Sequence, residues 1–213
     1  MRKRAKLLLL KGKWKYYFHS SFAGRRMEIK MDEKLQTCIN KIKAGKIEKE
    51  VVHTFLRTYY DCIEDMNPAE DAPYPEDLTK PLRERKFGIY EAMSWLAQEK
   101  YNMNEGDDTP LMETVGYADA PMTEFLIQNG ANANYWPDMD EIPGIPRSNY
   151  YLEDIDIAYF EENWPLSERY INALLETAKV LLSQGNTGSF WGLCLSADAE
   201  KREITIGPPK YRY

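Results

Sequence analysis

The stretch TPLMETVGYADAPMTEFLIQNGANAN, residues 109–134, constrains the fold of this chain more than any other. Thr109-Pro110 opens a helix: the hydroxyl can cap free N–H groups, and proline suits the first helical position, where an N–H would go unpaired anyway. Leu111, Thr114 and Val115 supply a short apolar face. Pro121 opens a second helix, whose predicted buried side is Met122, Phe125, Leu126 and Ile127. Gly130 ends it, because glycine accepts the left-handed conformation of a helix stop. Two helices this short cannot bury their apolar faces alone, so the unit must stack on neighbours.

Fainter copies flank it. Residues 92–96 (AMSWL) followed by 101–104 (YNMN) repeat its second half, with Lys100 at the glycine position. Residues 177–186 (TAKVLLSQGN) do so again, with Leu181, Leu182 and Gly185 in place. Residues 152–162, carrying Ile155, Ile157, Ala158 and Phe160, offer a first helix for that last unit. Thr109, Pro110, Leu111, Leu126, Gly130, Ala131 and Asn134 match, in one ungapped register, the Thr-Pro-Leu opening and Gly-Ala-x-x-Asn close of an ankyrin repeat, which residues 109–134 resemble. Met112 stands at that family's histidine, and Thr114 with Val115 at its alanine pair. The resemblance, strong in one repeat and weaker in its neighbours, spans roughly residues 70–186. It implies a short solenoid with atypical capping repeats, presenting a concave surface of loops and first helices to a protein partner.

The flanks fit that reading. In residues 27–66, Leu35, Cys38, Ile39, Ile42 and Ile47, then Val51, Val52, Phe55, Leu56, Tyr59 and Ile63, recur at helical spacing, with Gly45 between two helices. Residues 66–81 form a proline-rich connection, and residues 87–99 a helix with Tyr90, Met93, Trp95 and Leu96 as its core face. Residues 67–186 are thus assigned to the repeats. In residues 187–213, two apolar runs (189–195 and 203–206) flank a polar turn at 198–201 and predict a β-hairpin, with a capping helix through Leu193 as the alternative. The expected fold class is mainly α: an ankyrin-like helical-repeat solenoid with N-terminal helices and a C-terminal β-hairpin.

Charge is unevenly placed. Residues 1–26 hold nine basic side chains and no acid, so a net charge of −6 for the chain leaves −15 on residues 27–213. An acidic body repels nucleic acid and steers in basic protein partners. The basic segment, residues 1–26, is expected to be a disordered tail or a start placed too early, with Met27 or Met31 as the true one. The alternative is a nucleic-acid arm, with Trp14, Tyr16, Tyr17 and Phe18 stacking on bases. The longest aliphatic run, Leu7 to Leu10, is far short of the ~20 residues a spanning helix needs. Cys38, Cys62 and Cys194 are too widely spaced for a disulfide framework or zinc site, and read as reduced thiols in a cytoplasmic protein.

Catalytic chemistry is sparse. His19 and His53 are the only histidines, and His53 reads as a structural residue on a helix. No nucleophile–base pair, phosphate loop or metal-ligand spacing suggests itself, so no enzyme activity, cofactor or metal is expected. The carboxylates Glu153, Asp154, Asp156, Glu161 and Glu162 read as solvated faces. The insertion at residues 135–151 is long for a repeat connection and combines Tyr135, Trp136, Tyr150 and Tyr151 with Asp138, Asp140 and Glu141. Aromatic anchors beside carboxylates suit a basic protein partner; a passive loop covering the repeats is the alternative. Tyr117, in the turn between the helices of the clearest repeat, is a further binding candidate. The expected function is non-enzymatic protein binding, with an inhibitor or immunity-type role as one form and a regulatory or accessory subunit as another.

Overall fold

The computed structural model describes residues 24–65, 75–105, 110–134, 151–152, 155–156, 168–186, 189–191 and 194–206. The chain starts with a helical hairpin, α1 (Gly24–Lys43) and α2 (Lys49–Asp65). Most of the expected apolar positions face inward: Leu35, Cys38, Ile39 and Ile42 on α1, and Val52, Phe55, Leu56, Tyr59 and Ile63 on α2, are buried, whereas Ile47, in the turn between the helices, and Val51, in the first turn of α2, are only half-buried against the core. Tyr60, not read as core from its spacing, is fully buried too. α1 begins within the segment assigned to the tail, since no proline interrupts the helical run through Arg25 and Arg26.

Three 3-10 turns follow, at Glu76–Thr79, Leu82–Glu84 and Lys86–Gly88. Phe87 and Gly88 both take left-handed backbone angles, so α3 starts at Ile89 and runs to Gln98. This late start sets the buried face as Ile89, Ala92, Met93 and Leu96, leaving Tyr90 and Trp95 half-buried where the sequence predicts core.

α4 (Pro110–Gly116) and α5 (Ala120–Gln128) form the next pair. Leu111, Thr114 and Val115 are buried on α4 as expected; on α5 the buried residues are Met122, Thr123 and Leu126, with Phe125 and Ile127 only half-buried. The Thr114 and Thr123 hydroxyls meet at 3.2 Å between the two helices, and Thr114 Oγ1 also donates to Leu111 O at 3.1 Å, so both buried hydroxyls are hydrogen-bonded. α6 (Glu168–Ser183) comes next. α1 packs on α2 and α3, α2 on α4, α4 on α5, and α5 on α6.

The C-terminal end is a three-stranded antiparallel sheet of β1 (Phe190–Trp191), β2 (Leu195–Asp198) and β3 (Glu203–Ile206), in that order. β2 and β3 pair Leu195 with Ile206 through Asp198 with Glu203, and β3 packs on α6. The strand reading therefore holds over the helical alternative, but the arm that pairs with β3 is residues 195–198 rather than 189–195, the turn falls one residue later than expected, and residues 190–191 add a third strand. Asp156 corrects another expectation. It is buried rather than on a solvated face, and its Oδ1 accepts the N–H groups of Cys194 (2.7 Å) and Leu195 (2.6 Å). It thereby ties the chain near residue 156 to the start of β2, the middle strand of the sheet.

Candidate functional site

Three helix ends close in the same way. Lys100, Gly130 and Gly185 each take a positive φ (57°, 104° and 120°). The next residue's N–H then reaches back to the last helical turn: Tyr101 to Leu96 O, Ala131 to Leu126 O, and Asn186 to Leu181 O, at 2.9–3.0 Å. This wide closing bond satisfies carbonyls that a helix end leaves unpaired. Asparagines link successive turns. Asn104 Nδ2 donates to Gly130 O at 2.9 Å, while its Oδ1 accepts the Asn132 N–H at 2.8 Å. Asn134 Nδ2 donates to Gly185 O at 2.8 Å, and Asn186 Nδ2 to Ala133 O at 3.0 Å. Asn102 and Asn132 each accept an N–H two residues on, from Asn104 (3.1 Å) and Asn134 (2.9 Å), so the first two turns share one internal geometry. The three turns stand in one row, with Asn102 and Asn132 exposed along it.

A buried ionic cluster holds the α4–α5 loop. Arg85 donates to both carboxylate oxygens of Asp119, at 2.6 and 2.7 Å, and both side chains are fully buried. Arg85 also donates to Leu78 O (2.7 Å) and Lys80 O (2.9 Å), binding the 3-10 turns to the pair. Asp119 in turn caps α5 through the Met122 N–H (3.1 Å) and accepts the Tyr60 hydroxyl (3.0 Å). Burial works against charge on Arg85, but the hydrogen bonds and charge of Asp119 outweigh it and hold the guanidinium proton more tightly than usual. Burial, and then the Asp119 charge, push the Tyr60 hydroxyl well up.

With that loop anchored, a groove of 620 Å³ opens between the first 3-10 turn, the first turns of α5 and one face of α6 from Glu168 to Val180. Its apolar lining is Leu78, Ala118, Ala120, Pro121, Ala173 and Val180. Glu124, Glu168 and Glu176 line it with Arg169 as counter-charge. Such small apolar side chains leave space between the helices, and the carboxylates make that space acidic.

Of the binding candidates read from sequence, Tyr135, Trp136, Asp138, Asp140, Glu141 and Tyr150 lie outside the described residues, while Tyr151, at the end of the same insertion, is buried in the core and offers no surface to a partner. Tyr117 is half-buried and stacks face-to-face on Tyr60, with ring centroids 4.0 Å apart and planes 8° apart. Its ring packs the α4–α5 loop against α2, and burial pushes its hydroxyl up to about 12. The His53 Nε2–H donates to Glu113 Oε1 at 3.0 Å, linking α2 to α4, and Arg57 donates to the same oxygen at 3.2 Å. Sequence reasoning missed the groove, whose residues come from segments far apart in the chain; the clustered alanines 118 and 120 were the one local sign of a thin interface. Among the described residues no group of histidine, cysteine or carboxylate side chains could hold a metal ion, and no helix is long and apolar enough to cross a membrane. Compared with protein-family models, curated proteins and solved structures, the chain matches none.

Proposed function

We propose that this chain is a non-enzymatic protein-binding module, built as a short ankyrin-like array and directed at a basic partner. The observation that carries the reading is the row of linked turns at Lys100, Gly130 and Gly185, joined by Asn104 and Asn134. Turns locked to one another in this way form a stiff edge, and a stiff edge binds without the entropy cost of ordering loose loops. The −15 charge of residues 27–213 supports a basic target. An inhibitor that covers the cationic face of another protein is the form this charge fits best.

The test is affinity capture on the tagged full chain, at low and at high salt, beside the Tyr135→Ala/Trp136→Ala variant. A basic protein retained at low salt in stoichiometric amount, and released as salt rises, is the expected result. Loss of that protein from the variant assigns its contact to the insertion. Capture of nothing at any ionic strength overturns the reading.

A further inference from the structure

We propose that the groove between α5 and α6 takes a cationic, leucine-bearing peptide segment of the partner. The inference rests on the protein-binding reading and specifies the partner's chemistry. The lining offered by α6 falls at Glu168, Arg169, Asn172, Ala173, Glu176 and Val180, steps of one, three and four that form a single helix face. α5 contributes Ala120, Pro121 and Glu124 from its first turns in the same manner. At 620 Å³ the groove is in the range of pockets that enclose a ligand of several side chains' bulk. Its alanine, proline and valine surface suits branched aliphatic groups.

Charge selects what flanks them. Three carboxylates face one guanidinium, so the rim is acidic on an already acidic body. Glu124 accepts the amides of Gln128 (3.1 Å) and Gln184 (3.4 Å), which hold its position without cancelling its charge. Glu176 accepts Lys179 at 2.7 Å, but both side chains are more than half exposed, and such a pair is worth little. A ligand lysine can take its place. An anionic peptide would meet repulsion at all three positions.

The experiment follows a fluorescein-labelled amphipathic leucine–lysine peptide by anisotropy as it binds the full chain. Its controls are a serine–lysine peptide of equal charge and a leucine–glutamate peptide of equal apolar content. We expect the leucine–lysine peptide to bind at least about tenfold more tightly than either control. Glu168→Lys with Glu176→Lys is expected to weaken it by about tenfold or more, while Glu99→Lys with Glu200→Lys, equal in charge change but outside the lining, leaves it within about twofold. Equal binding of the leucine and serine peptides, or equal loss in both double variants, overturns the proposal. So does tighter peptide binding when Arg2, Lys3, Arg4 and Lys6 are changed to serine in the full chain, which would make the chain's own N-terminal segment the occupant. If the groove variant still captures the natural partner, the groove fails while the protein-binding reading stands. If the wild-type chain captures no partner, that reading fails, and the peptide series still decides whether the groove binds.

Discussion

At the scale of single residues, the Arg85–Asp119 pair dominates. A fully buried ion pair gives little net stability against a well-packed apolar alternative, but removing one partner strands a buried charge. Arg85→Ala is therefore expected to cost about 3–5 kcal/mol in urea unfolding followed by far-UV circular dichroism. Arg85→Lys should cost less, since one ammonium restores charge without the two-pronged geometry. A loss under about 1 kcal/mol for the alanine variant would show that the pair does not anchor the loop. Glu113 carries a different signature. Burial pushes its carboxyl up, but the hydrogen bonds and charges of His53 and Arg57 outweigh that and hold it below its ordinary value of 4.5. A depressed carboxylate stabilises the fold above its unfolded value, and that contribution disappears as pH falls through the lower folded value. Glu113→Gln should thus lower the urea midpoint at pH 7 and approach the wild type below about pH 4. A constant difference from pH 7 to pH 3 would exclude the ionic contribution. Asp119 was legible in sequence only as a polar residue ahead of a proline, and nothing local to Arg85 marked it as buried. Its partners arrive from α2, the 3-10 turns and α5, so only folding assembles them.

At the scale of elements, the turns are the informative parts. Lys100 adopts the left-handed conformation that Gly130 and Gly185 adopt without strain, and a side chain there costs about 1–2 kcal/mol. Lys100→Gly relieves that strain but loosens the unfolded chain, so a net gain of about 0.5 kcal/mol is expected, near a 1–2 °C rise in melting temperature. Gly130→Ala is expected to do the opposite. Space is not the reason, since an added Cβ meets nothing within 4 Å; the φ of 104° is. A loss of about 1–2 kcal/mol by thermal melting checks it, and an unchanged melting temperature would contradict the closure. The glycines at 130 and 185 were readable from sequence because their role is local. That Lys100 does the same was readable only from its place in the repeated pattern. The burial of Asp156 was not readable at all, because its acceptor role is set by backbone N–H groups 38 and 39 residues further on.

At the scale of the whole molecule, charge and layering act together. With −15 on residues 27–213, association with a basic partner is expected to be steered by long-range attraction. Its on-rate should fall by about tenfold or more between 0.05 and 0.5 M NaCl, while the off-rate changes less; stopped-flow fluorescence separates the two. An on-rate indifferent to salt would remove charge as the basis of partner choice. The sequence by itself determined the helical class, most of the inward faces of α1 and α2, the short pair α4 and α5 and the glycine stops, and it narrowed the C-terminal end to a hairpin or a capping helix. Each of these depends on spacing, caps or turn chemistry within a few residues. Only the tertiary structure decided the late start of α3, the stacking of Tyr117 on Tyr60, the sealed Arg85–Asp119 pair and the acidic groove. Those depend on which distant side chains meet when the layers pack, and no local pattern encodes that meeting.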